Sequence, residues 1–197
     1  LFYWIMGNKL NFRKINKIER EIIINSFSKI IPKSLKIIDD LKNRLYISIE
    51  NLKYKTNFPN IYLLSKTQIN SLKILESNKI ISAGLFFGFI KKGNFYLSLE
   101  SAEFLYFNNI ISVFKKAQVN DKGEKSILYG NNLLKKMIYS FPDSFEQNDI
   151  LLIFNKNEEI LALAQSKIDY KYGQEDQSNE LIAKNLIDKG FYLRKNQ

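Results

Sequence analysis

The chain contains no cysteine and no histidine. Without thiolate or imidazole, zinc fingers, zinc hydrolases and haem sites cannot be built from its own residues. Cysteine nucleophiles, Ser-His-Asp triads and histidine acid–base chemistry are excluded on the same ground. Disulfides are excluded too, so the fold must be held by its cores. Arginine is scarce: Arg13, Arg20, Arg44 and Arg194 are the four arginines among 30 basic residues. Forked, bidentate recognition of anions therefore gives way to lysine point charges. Long apolar runs are also missing. The longest apolar-rich stretch, Ile80–Ile90, has eleven residues, whereas a bilayer span needs about 20. The opening Leu1-Phe-Tyr-Trp-Ile-Met6 is too short for a signal h-region and lacks a basic n-region; Met6 is expected as the functional start. These absences predict a folded, soluble, metal-free protein with no cofactor and no membrane partner.

What is present is a large apolar fraction and a surplus of positive charge. Hydrophobic residues make up 45% of the 197 and aromatics 14%, with 15 Phe and 11 Tyr. That is ample for packed cores, in one large domain or two of roughly 100 residues each. The net charge is +10. Residues 1–108 carry 17 basic and 8 acidic groups, against 13 and 12 in 109–197. Such a field attracts polyanions, chiefly nucleic acid or an acidic membrane surface. Lys, Ile and Asn also have A/T-rich codons, so genomic composition is a second source of the lysine.

Apolar spacing predicts a helix over Arg13–Ile31, stopped by Pro32. Alternation predicts a strand at Leu45–Glu50, and a turn at Asn57-Phe-Pro-Asn60 leads to a second strand, Ile61–Leu64. Ser65-Lys-Thr-Gln68 has the capping-box form and opens a helix with Ile69, Leu72 and Leu75 inward. Strands Lys79–Ile90 and Phe95–Glu100 follow around Lys91-Lys-Gly-Asn94, and Ser101 is expected to cap a short helix through Phe107. The short links imply a mainly antiparallel sheet in an α+β domain over 1–108. A boundary is expected at Asn108-Asn109. Beyond it come strand Ile110–Lys116, a turn at Asn120-Asp-Lys-Gly123 and a helix from Glu124 to Tyr129 ending on Gly130. Leu133–Phe141 reads as an irregular or helical connection closed by Pro142. A hairpin pairs Asp149–Phe154 with Glu159–Ser166, Tyr170–Asn179 is a loop, and Glu180–Ile187 is a strand before the tail Phe191–Lys195. Residues 109–197 are thus expected to form a small, strongly bent sheet or barrel.

No P-loop and no dinucleotide fingerprint is present. Gly84-Leu-Phe-Phe-Gly88 lies in an apolar strand, where glycines mark bulges or close backbone approach rather than a phosphate cradle. The pairs Asp39-Asp40 and Glu158-Glu159 read as solvated turns rather than a catalytic dyad. Ser126-Ile-Leu-Tyr129-Gly130-Asn131-Asn132, followed by Lys135-Lys136, carries the strongest signal. A glycine ending the helix lets another backbone approach, and nearby N–H groups, Asn amides and lysines can hydrogen-bond a phosphodiester. The competing reading is a plain helix C-cap followed by two turn-forming asparagines.

Three segments carry a family likeness: Lys125-Ser-Ile-Leu-Tyr-Gly-Asn131; the hairpin Asn148-Asp-Ile-Leu-Leu-Ile-Phe154 with Ile160-Leu-Ala-Leu-Ala164; and Asp188-Lys-Gly-Phe-Tyr-Leu-Arg194. Together they resemble a PUA domain. With Ile81-Ser-Ala-Gly84-Leu-Phe-Phe-Gly88-Phe and Phe95-Tyr-Leu-Ser-Leu-Glu-Ser-Ala-Glu-Phe-Leu105, the arrangement is similar to the Nip-seven family of large-subunit ribosome-biogenesis factors. Before Ile80 the likeness is one of element order. The resemblance implies a non-catalytic RNA-binding protein of pre-rRNA processing, monomeric, cytoplasmic in an archaeon or nucleolar in a eukaryote. It implies that assembly proteins meet the N-terminal domain, and that single-stranded or U-rich rRNA is bound. The RNA contacts it implies are Tyr129, Gly130, Asn131, Asn132, Lys135, Lys136, Lys184 and Arg194. On the penultimate strand, Glu180, Leu181 and Ile187 stand where relatives would be basic. The aromatics Tyr46, Tyr54 and Tyr62 offer stacking on unpaired bases, or plain packing. Two other readings stand beside this one: an RNA-modifying enzyme with a PUA appendage, and an adaptor for an acidic protein.

Overall fold

Alternating apolar residues in the first hundred positions build one antiparallel sheet. The computed structural model describes residues 10–28, 34–50, 58–75, 80, 83–110, 114–171 and 180–194. The chain divides into two compact units, Leu1–Ser101 and Ala102–Gln197. In the first, β1 (Leu10–Lys14), β2 (Leu45–Glu50), β3 (Asn60–Leu63), β4 (Leu85–Lys91) and β5 (Asn94–Leu97) lie in that order, every pair antiparallel. Leu45, Ile47, Ile61, Leu63, Phe87, Phe95 and Leu97 are buried. The helices α1 (Lys17–Ser28) and α2 (Ser34–Leu41) supply Ile23, Phe27 and Ile38 to the same core. Phe27, Phe87 and Phe95 cluster with ring centroids 5.8 to 6.2 Å apart, and Ser26 Oγ accepts the Phe95 N–H at 2.8 Å.

Local signals in this unit form as their chemistry demands. Ser65 Oγ accepts the Gln68 N–H at 3.2 Å while Gln68 Oε1 accepts the Ser65 N–H at 2.8 Å, so the capping box opens α3 (Lys66–Leu72). Asn16 and Glu19 form the same reciprocal pair at the start of α1. Several expected boundaries move. The first helix begins at Lys17, because Arg13 and its neighbours pair with β2 as strand β1. Pro32, Tyr54 and the start of the Asn57 turn lie outside the described residues. Leu75 is 59% exposed rather than inward, since the helix has already ended at Leu72. The second strand of the hairpin stops at Leu97, and the short helix α4 (Leu99–Phe107) starts earlier than expected: Ser98, not Ser101, accepts the first-turn N–H.

The second unit winds a six-stranded sheet into a nearly closed barrel. Its strands are β6 (Lys115–Val119), β7 (Leu133–Leu134), β8 (Ile138–Ser140), β10 (Ile150–Phe154), β11 (Ile160–Ser166) and β13 (Leu181–Asp188). Their spatial order is β7-β13-β11-β10-β6-β8, with β6 and β10 parallel and the other pairs antiparallel. A separate pair, β9 (Ser144–Phe145) and β12 (Tyr170–Lys171), adds a stack of Phe141, Phe145 and Tyr170 rings. All five residues of β10 are buried, which agrees with its unalternating sequence. The expected strand at Ile110–Lys116 is shifted to Lys115–Val119, with 111–113 outside the described residues. Asn120–Gly123 is not a turn; it is the cap and first turn of α5 (Asp121–Leu128). The connection read as irregular or helical holds β7, a 3-10 turn and β8. Residues 172–179 of the expected loop are outside the described residues, and the tail forms the short helix α6 (Phe191–Arg194).

Candidate nucleic-acid interface

The turn after α5 is built by its backbone. Asn120 Oδ1 accepts the Gly123 N–H at 2.9 Å, fixing the start of the helix. At its end Gly130 adopts φ +86. The Gly130 N–H bonds Ile127 O at 2.8 Å and the Asn131 N–H bonds Ser126 O at 3.1 Å. These are the two hydrogen bonds of a Schellman ending, which needs a residue tolerant of positive φ. The turn leaves Tyr129 77% exposed, with Asn131 and Asn132 exposed beside it.

Beneath the turn lies a polar network that sequence reasoning did not identify. Arg194 Nη2 bonds both carboxylate oxygens of buried Asp188, at 2.8 and 3.1 Å, and Nη1 donates to Leu128 O. The cation thus meets the negative end of α5 and a buried carboxylate. Asn185 Nδ2 reaches Asp188, Ile127 O and Asn131 O, all within 3.3 Å, and the Asn185 N–H donates to Asn132 Oδ1 at 3.1 Å. A Cβ on Gly130 would stand 2.9 Å from Arg194 Nη2.

The eight residues expected from sequence therefore separate into two groups. Tyr129, Gly130 and Asn131 form the exposed turn, and exposed Lys136 with half-buried Lys135 follows on the 3-10 turn Lys135–Met137. Lys184 points outward from β13, the strand that β7 pairs with. Arg194 has a structural part as well: its guanidinium pairs with Asp188 and Leu128 O and so supports the turn, while its side chain stays 35% exposed. Asn132 likewise positions β13 through its side-chain oxygen. Tyr46 and Tyr62 pack with Phe12, rings 5.8 Å apart in each pair. Burial pushes the Tyr62 phenol up from its ordinary value, with an Asn60 hydrogen bond working against it. Among the described residues no group of three or more carboxylates is placed to hold a metal ion, and no helix is long and apolar enough to cross a membrane.

Barrel and turn together define a PUA-like unit, and comparison with known proteins agrees. Residues 115–197 match the family model described as the UPF0113 PUA domain, a type of RNA-binding domain. A PUA domain from Aeropyrum pernix K1, solved as a tartrate complex, superposes with a TM-score of 0.56 at 13% identity, over 98% of this chain and 94% of that one. A hypothetical protein from the archaeon Pyrococcus horikoshii OT3 gives 0.55 at 10% identity, over 94% and 98%. Both likenesses are of fold, and both extend through the N-terminal unit. No curated protein matches the chain in sequence.

Proposed function

We propose that this is a non-catalytic RNA-binding protein whose PUA unit engages RNA at the turn after α5, and that it acts in assembly of the large ribosomal subunit. The observation that carries the RNA reading is the match of residues 115–197 to a PUA family model. The exposed Tyr129-Gly130-Asn131 turn, with Lys135 and Lys136 following, gives that reading an address. The ribosomal setting rests on the ordered likeness of residues 80–194 to the Nip-seven family. Contacts are chiefly to phosphate and shape, because the one arginine of this unit is committed internally and lysine does not make forked base contacts.

Reversing both lysines, Lys135→Glu with Lys136→Glu, tests the address. A charge contact at 4 Å is worth about 1 kcal/mol even in water, so the double reversal weakens single-stranded RNA binding about tenfold or more at low salt. Circular dichroism should stay unchanged. Equal affinity in the folded double variant rules this surface out as an RNA contact. Absence of any RNA binding by the wild-type chain overturns the RNA reading and leaves an acidic protein as the partner to seek.

A further inference from the structure

In the N-terminal unit the sheet face opposite the buried core residues carries a row of aromatic rings. Phe89 on β4 and Tyr96 on β5 are cross-strand partners, centroids 5.2 Å apart and planes within 12°. Phe58 continues the row beyond Phe89 at 6.0 Å and 29°. This alignment depends on an irregularity in β4. Opposite Ile61 and Tyr62 the strand presents Gly88 and Phe86, skipping Phe87. Phe86 and Phe89, three residues apart, therefore share one face while Phe87 enters the core. Gly88 makes the bulge possible: its φ is +149, and a Cβ there would lie 2.1 Å from Tyr96 O.

The row ends at the sheet edge on Tyr96, which is 46% exposed. Among the described residues no second ring stacks on it. Lys91, two residues on from Phe89, shares the face and places Nζ 4.7 Å from the Phe58 centroid. Lys92 follows at the hairpin turn, and among the described residues no carboxylate pairs with either lysine. The unit that bears them, residues 1–101, has 17 basic and 7 acidic groups. An open ring at the end of a parallel stack accepts another flat π-face, and uncompensated ammonium groups on the same hairpin, Lys91 at the Phe58 end of the row and Lys92 at the turn, accept the phosphates of a strand laid along it. Unpaired nucleotides carry both at adjacent positions, whereas duplexes hide their base faces and acidic peptides lack them.

We propose that this face of the β4–β5 hairpin is a second binding site, for single-stranded RNA, with an unpaired base stacked on Tyr96 and flanking phosphates on Lys91 and Lys92. The proposal rests on the RNA-binding reading but places part of the affinity in the other unit. The test uses the full chain, a labelled U-rich decamer and the same sequence as a duplex, at low salt. Tyr96→Ala should weaken single-strand binding about 5- to 100-fold, the range of one lost base stack, while Tyr96→Phe binds as wild type. Duplex binding should be unmoved. Lys91→Ala with Lys92→Ala should flatten the salt slope of single-strand binding by about 1.4. Photocrosslinking of an iodouridine decamer to the wild type should label the peptide holding Tyr96, a readout independent of how any variant folds. Wild-type binding that survives Tyr96→Ala but is lost on reversing Lys135 and Lys136 overturns this site alone. So does crosslinking confined to residues 129–136. A wild type that binds no RNA overturns the broader reading with it.

Discussion

Gly130 and Arg194 lie against each other, and neither tolerates much change in the other's company. Gly130→Ala meets the Arg194 guanidinium and must hold a positive φ, which costs an L-residue about 1–2 kcal/mol. We expect its C-terminal unit to melt about 4–8 °C lower per kcal/mol lost, read by calorimetry. Glu19 gives a residue-scale prediction in pH. Burial acts to raise its carboxyl pKa, but hydrogen bonds from Arg13 and the Asn16 N–H, with the Arg13 charge, outweigh burial and hold it below its ordinary value. A carboxyl lowered in the folded state contributes stability above its unfolded pKa, about 4.3, and loses it as pH falls through the folded value. Glu19→Gln should therefore cost about 1 kcal/mol at neutral pH, a modest figure because the pair is partly solvated. Chemical denaturation should show the gap to wild type closing as the pH falls below the ordinary carboxylate range.

Elements divide according to whether their cause is local. Ser65→Ala removes one half of a reciprocal cap and should cost about 1 kcal/mol, seen as faster amide exchange in α3. This cap was legible in the sequence because both partners lie within four residues, and so were the β10–β11 hairpin and the left-handed Gly130. β1 was not. Leu10 and Phe12 are too short an alternation to read alone, the helical spacing from Ile15 onward drew in Arg13 and Lys14, and what makes the segment a strand is β2, from Lys14↔Tyr46 to Leu10↔Glu50 along the pairing. α4 was cut short in the sequence reading because Leu97 and Leu99 continue an alternating pattern, although Ser98 turns the chain between them. The site shows the same division. Tyr129 to Lys136 are one local segment, but the support from Asp188 and Arg194 joins residues about sixty apart. The row from Phe58 to Tyr96 was hidden by the Gly88 bulge, which breaks the period-two pattern that would have revealed a shared face.

At the scale of the molecule, charge and fold separate together. Residues up to Ser101 have 17 basic and 7 acidic groups, and those beyond have 13 of each. All of the net charge belongs to the first unit, and the PUA unit is balanced, with Lys116–Glu158, Lys156–Asp121, Lys189–Glu103 and Arg194–Asp188 paired. Affinity for single strands should fall steeply with salt, with a logarithmic slope of about −0.7 per phosphate neutralised. Replacing lysines of the first unit should flatten that slope more than replacing the same number in the second, as a salt titration would measure. One feature of the barrel bears on how the protein is made. β13, the last strand in the chain order, is not at an edge: it lies between β7 and β11. During synthesis the PUA unit must wait, two strand edges unpaired and the end of α5 without its guanidinium, until the ribosome has released residues through Arg194. Its sheet is thus open to mispairing for nearly the whole of its translation, while the cationic unit upstream already has every strand it needs.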